Sequence, residues 1–102
     1  MSGYKLRVPD HLVGFIRGLH PEIERKIKGS LKIIAIIASE PGSGKPLKDE
    51  LEGLRSLRVS RFRIIYRIAG PKEIQIVAIG PRDRIYEETY RLISRESRSL
   101  KR

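Results

Sequence analysis

A change of period near the middle of the chain constrains its fold more than any other feature. Up to residue 37 the apolar residues Ile23, Ile27, Leu31 and Ile34 recur at helical spacing, with Ile33, Ile36 and Ile37 beside them. From residue 55 the spacing drops to two. Phe62, Ile64, Tyr66 and Ile68 fall on one side of an extended segment, and Arg61, Arg63, Ile65 and Arg67 on the other. A helix-period stretch cannot settle as a strand, nor the reverse. The chain therefore reads as two helices that make an αα-hairpin with one apolar side, followed by strands. At 102 residues one hydrophobic core is the expectation, and 15 isoleucines are enough to build it.

The local signals subdivide this pattern. Residues 4–8 read as a first strand ended by Pro9, and Asp10 as the N-cap of a helix over 11–18. Pro21 suits the first turn of a longer helix, stopping near Ser39. Lys26, Lys28 and Lys32 lie mainly outside its apolar stripe. Residues 40–46 are a loop by their Pro and Gly content. Strands follow over 55–60, 62–68 and 74–79, with a hairpin turn at Gly70-Pro71-Lys72. Residues 85–95 form a last helix with Ile85, Tyr86, Thr89, Leu92 and Ile93 as its apolar edge. The domain spans 1–95, and 96–102 is a polar, basic tail that frays.

Charge narrows the function classes. The net charge is +10, with 22 basic and 12 acidic side chains. Residues 1–54 carry 9 basic and 7 acidic groups, whereas 55–102 carry 13 and 5, and 11 of those 13 are Arg. A planar guanidinium grips phosphate with two parallel hydrogen bonds, which an ammonium cannot do. The partner is therefore expected to be anionic. The chain has no cysteine, which excludes disulfides, thiol catalysis and cysteine zinc sites. No apolar run approaches a membrane span, and residues 1–5 lack the apolar core of a signal peptide, so no membrane partner and a cytoplasmic location are expected.

Several motifs fail on their chemistry. Gly42-Ser43-Gly44-Lys45 lacks the earlier Gly and the Ser or Thr after Lys that a phosphate loop needs; those positions hold Ser39 and Pro46. His11 and His20 have no third ligand nearby, so neither a metal nor a cofactor is expected, and both read as helix-end residues. Glu87-Glu88 is a solvated pair as readily as a catalytic one. Tyr66 reads as core.

Three stretches in order carry a likeness: Lys48…Leu51-Glu52-Gly53, then Phe62-Arg63-Ile64-Ile65-Tyr66, then Ile79-Gly80-Pro81-Arg82-Asp83-Arg84-Ile85-Tyr86. Together with length, charge and the preceding helical hairpin, they resemble the RelE/ParE toxin superfamily of prokaryotic toxin–antitoxin systems. The resemblance implies a RelE-like α+β fold, with an N-terminal strand and an αα-hairpin packed on a twisted antiparallel sheet, a short C-terminal helix and a basic concave face.

The resemblance also implies an activity, and it leaves two open. RelE-like members cleave mRNA on the ribosome without a metal and so inhibit translation; ParE-like members poison DNA gyrase. A non-catalytic basic nucleic-acid-binding module is the third alternative. On the RelE-like reading Arg63 binds the scissile phosphate, Arg82 stabilises the phosphorane, and Tyr86 transfers a proton or stacks on a base. Arg58, and less closely Arg55, fall where RelE has lysines. A guanidinium stays protonated, so Arg58 stabilises charge instead of abstracting protons. Arg55, Arg61, Arg67, Arg84 and Lys48 complete the expected RNA-binding set. The implied partners are mRNA on the ribosome and a cognate antitoxin protein.

Overall fold

The computed structural model describes residues 4–37, 45–47 and 51–100. Strand β1 (Lys5–Arg7) leads into helices α1 (Asp10–Arg17) and α2 (Pro21–Ile37). Strands β2 (Lys45–Pro46), β3 (Arg55–Val59), β4 (Phe62–Gly70) and β5 (Glu73–Pro81) follow, and helix α3 (Ile85–Leu100) comes last. The five strands form one sheet in the order β1-β5-β4-β3-β2. The β2–β3, β3–β4 and β4–β5 pairings are antiparallel, whereas β1 lies parallel to β5. The sheet is therefore mixed, because the chain passes through the helical hairpin before returning to the strand beside β1.

Helix α1 begins one residue earlier than its sequence signals suggest. Pro9 is the N-cap, in extended backbone, and its carbonyl accepts from Leu12 and Val13 N–H at 2.9 and 3.1 Å. Asp10 is thus inside the first turn and makes no capping bond; there it favours the helix through the positive end of its dipole. At the next junction His20 caps α2, its Nδ1 accepting from Glu22 N–H at 3.2 Å. Ile27, Leu31 and Ile34 of α2 are buried, but Ile33 and Ile36 are 50% and 68% exposed, so the stripe is narrower than expected. At roughly 100° per residue, Ile36 falls on the far side of the helix from Ile27 and Ile34.

The main core lies between this hairpin and the sheet. Leu12, Ile16, Ile27, Leu31 and Ile34 meet Val59, Ile64, Tyr66, Ile74, Ile76 and Ile79. Full burial of each such side chain contributes about 1.5–3 kcal/mol. Tyr66 is 1% exposed within this core, as its place in the alternation requires. A smaller core lies on the opposite face under α3, built on Leu54, Ile65, Ala78 and Ile85 with Val77, Tyr86, Leu92 and Ile93 packed against them.

The β4–β5 register contains one irregularity that shapes the second face. Ile65 pairs with Ala78 and Tyr66 with Ile76, leaving Val77 as an extra residue. Such a bulge reverses which side of the sheet later residues face. Ile74 and Ile76 point to the hairpin, yet beyond the bulge Ile79 does so too, which puts Ala78 and Gly80 beneath α3. A Cβ on Gly80 would meet Ile85 Cδ1 at 3.0 Å. Glycine is therefore what lets the first turn of α3 sit directly on β5.

Two sequence boundaries shift. Lys45–Pro46, expected in the 40–46 loop, form β2 and pair with Ser56 and Arg55; proline is tolerated there because β2 is an edge strand. Residues 38–44, where the rest of that loop and the end of α2 were expected, lie outside the described residues. The last helix continues past residue 95 to Leu100, because Glu96 to Leu100 contain no helix-breaking residue. Among the described residues no helix is long and apolar enough to cross a membrane.

Candidate nucleic-acid interface

The alternation in β3 and β4 sends successive residues to opposite faces of the sheet. Val59 and Leu57 face the hairpin, so Ser56 and Arg58 face the other way. Ser56 pairs with Ile65 and Arg58 with Arg63, directly across the β3–β4 ladder. On the far side of Arg63 the register places Gly80. Two arginines therefore lie opposite each other on one sheet face, an arrangement that like-charge repulsion disfavours unless something offsets it. Among the described residues neither makes an ion pair; Arg58 Nε donates only to Ser60 O at 3.4 Å. Ser60, in the left-handed region at φ 57°, makes the tight turn that joins the two strands.

Arg63 is the organising side chain. Its Nη1 donates to Ser56 Oγ at 3.0 Å, and its guanidinium carbon stands 5.9 Å from the centre of the Tyr86 ring. That separation is within the range of a cation–π contact. Ser56 Oγ also lies 3.3 Å from Tyr86 Oη. Tyr86 reaches this point because Ile85, fully buried beside it, anchors the first turn of α3 to the sheet. Thr89 closes that turn by donating to Ile85 O at 2.7 Å. Arg63 Nε is buried and has no hydrogen-bond partner among the described residues.

Beside this cluster Arg58, Ser60, Arg61, Pro81, Arg82 and Asp83 line a cleft of about 470 Å³. Arg82 N–H donates to Arg61 O at 3.0 Å, which ties the end of β5 to the β3–β4 turn. Three guanidinium groups against one carboxylate leave the cleft cationic. The structure thus gathers Arg58, Arg61, Arg63, Arg82 and Tyr86 at one end of the sheet.

The remaining expected residues lie elsewhere. Arg67 Nε donates to Gln75 Oε1 at 2.9 Å, four residues along β4 from Arg63, or roughly 13 Å at strand spacing. Arg55 pairs with Tyr66 and shares the hairpin-facing alternation of Leu57 and Val59. Arg84 is exposed in the turn before α3. Lys48 is outside the described residues. Glu87 is held on the helix surface by Arg91 at 2.7 Å. His11, Phe15, Glu88, Arg91 and Arg95 line a different groove of about 440 Å³ between α1, β5 and α3. No group of metal-ligating side chains occurs among the described residues.

Ser56 is the residue that sequence reasoning missed. It carries no charge and belongs to no motif. Its one signal is positional, two places before Arg58 on the same face of the same strand.

Three solved structures similar to this chain are a toxin and two toxin–antitoxin complexes. The RelBE2 complex of Mycobacterium tuberculosis aligns over 79% of this chain and 100% of the matched one, with a TM-score of 0.66 and 24% identity. A free mutant of Escherichia coli toxin RelE aligns over 93% and 98%, at 0.69 and 14%. The archaeal RelE–RelB complex of Pyrococcus horikoshii aligns over 81% and 99%, at 0.63 and 19%. No curated protein sequence matches significantly. Likeness at these identities concerns the fold. Residues 10–86, however, match the family described as ParE toxin of type II toxin-antitoxin system, parDE, and that span covers the hairpin, strands β2 to β5, the paired arginines and Tyr86. The chain belongs to the ParE toxin family of type II toxin–antitoxin systems, within the RelE/ParE superfamily.

Proposed function

We propose that this toxin is a RelE-like, metal-independent endoribonuclease that cleaves mRNA on the ribosome and so arrests translation. The observation that carries this reading is the pair Arg58 and Arg63, facing each other on one sheet face with no ion-pair partner among the described residues. A phosphodiester supplies the missing negative charge. In such a cleavage the 2′-oxygen bonds to phosphorus as its proton leaves. The bond from phosphorus to the 5′-oxygen then breaks, and that oxygen takes up a proton. Arg63 binds the scissile phosphate, while Arg58 and Arg82 stabilise the charge that accumulates on the phosphorane. Tyr86 is the proton-transfer group, since among the described residues neither a His nor a Lys lines the cluster or its cleft. Arg61 and Arg84 hold the flanking phosphates.

The test is primer extension on mRNA during induced expression, with Arg63→Ala and Arg82→Ala alongside. Breaks in the wild type that vanish in both variants support the reading; breaks that persist remove the assigned roles. The family match favours a second reading, poisoning of DNA gyrase. Gyrase-linked breaks in supercoiled plasmid with intact mRNA would establish that reading instead. Salt-dependent RNA binding without toxicity would identify a non-catalytic module, log K then falling by about 0.7 per phosphate contact on single strands.

A cognate antitoxin is the second partner. The M. tuberculosis and P. horikoshii toxins were solved as complexes with their antitoxins, and an exposed arginine face needs a cover when the toxin is silent. The antitoxin acts by masking Arg58, Arg61 and Arg82 or by displacing α3 and with it Tyr86.

A further inference from the structure

Ser56 is 2% exposed, one of two buried polar residues among those described. A serine facing Ile65 under a helix is not what packing alone selects. Alanine or valine would fill the same place without the cost of taking a hydroxyl out of water. The hydroxyl is instead the point where three distant parts of the chain meet. Arg63 Nη1 from β4 lies 3.0 Å from Ser56 Oγ on β3, and Tyr86 Oη from α3 lies 3.3 Å from it.

A serine hydroxyl offers one proton and two lone pairs, enough to serve both neighbours at once. Arg63 can only donate, so it occupies a lone pair. The bond to Ser56 is also the one hydrogen bond that this guanidinium makes among the described residues, its Nε being buried without a partner. A cation–π contact attracts the guanidinium to the ring but does not fix its rotation. Ser56 supplies the direction that the contact with Tyr86 lacks. Whichever of the two hydroxyls donates, the torsion of the phenolic O–H is tied to Ser56 as well.

We propose that Ser56 is a positioning residue, which holds the Arg63 guanidinium and the Tyr86 hydroxyl in one fixed relation at the cationic face. It touches no reacting atom. Its catalytic consequence rests on the endoribonuclease reading, whereas its structural consequence does not.

The test separates the two. In free protein, NMR follows the Arg63 Nε–H signal and the Tyr86 ring carbon that bears oxygen, the latter assigned with Tyr86→Phe. Ser56→Ala is expected to shift both signals and to speed rotation of the guanidinium; Ser56→Thr, which keeps the hydroxyl, restores them. On translating ribosomes, Ser56→Ala lowers the single-turnover cleavage rate about tenfold, the scale of one lost hydrogen bond. RNA affinity stays within about twofold. Because Ser56 acts through its neighbours, Ser56→Ala combined with Tyr86→Phe loses less than the product of the two single losses. Unmoved signals in Ser56→Ala overturn the proposal, as do losses that multiply in full. If the wild type leaves mRNA intact, the endoribonuclease reading falls and the NMR result alone decides the role of Ser56. If Ser56→Ala does not fold, near-isosteric Ser56→Cys, a much weaker hydrogen-bonding group, replaces it in both arms.

Discussion

The two faces of the sheet are built on different principles. Ile64 and Ile65 are adjacent on β4, both fully buried, and point in opposite directions. Ile64 enters a core closed by two helices, in which every buried side chain among the described residues is apolar or is Tyr66. Ile65 enters a smaller core closed by α3, bordered by Ser56, Arg63 and Arg58. The first face holds the fold. On the second, apolar packing goes far enough to seat Tyr86 and then gives way to Arg58 and Arg63, which make no ion pair among the described residues. A face that spent all its area on packing would have no place for an anionic ligand.

That contrast can be broken from either side. The largest expected effect is Ile64→Ala, which should cost about 4–5 kcal/mol in denaturant unfolding, the upper part of the range for such truncations. Ile65→Ala should cost about 2–3 kcal/mol, because the core around it is smaller and α3 can settle into the space. Equal costs would mean that the α3 side is as rigidly packed as the other. Arg82→Ala tests the functional half of the comparison. It should lower ribosome-dependent cleavage by about 10²-fold or more, while unfolding changes by less than about 0.5 kcal/mol, as befits an exposed side chain. A large loss of stability would turn Arg82 into a structural residue.

Gly80→Ala comes next. The added Cβ must displace Ile85 Cδ1, so a destabilisation of about 1–3 kcal/mol is expected. Chemical-shift changes should be confined to α3 and its underlying strands, and changes spreading into α1 and α2 would show that the two faces are coupled. The smallest effect belongs to the exposed pair Glu87 and Arg91. Removing either should change stability by about 0.3–0.5 kcal/mol, and that change should fade at high salt. A loss of cleavage in Glu87→Gln would instead bring that carboxylate into the chemistry.

Much of the first face was legible in the residues themselves. The spacing of Ile23, Ile27, Leu31 and Ile34 located α2 and its buried side, and the alternation from Phe62 to Ile68 located β4. Both patterns are local. Ile33 and Ile36 misled because being apolar does not bury a side chain that the helix turns away from its partner. The second face was legible only in part. Arg63, Arg82 and Tyr86 stood out through motif likeness, and Arg55 and Arg67 were expected as RNA-binding residues beside Arg58. Register separates them, sending Arg55 to the other side and Arg67 to the other end.

What the sequence determined by itself was the order of helices and strands, the excess of arginine in its second half and the strands that present it. These follow from periodicity and composition, which each segment carries independently of its neighbours. Tertiary structure decided the rest. The extra residue at Val77 puts Gly80 under α3 and lets Ile85 seat Tyr86, and the β3–β4 register sets Arg58 against Arg63. The meeting of Ser56, Arg63 and Tyr86 at one oxygen depends on both. Such a meeting is a relation between strands and a helix far apart in the chain, and no local pattern encodes it.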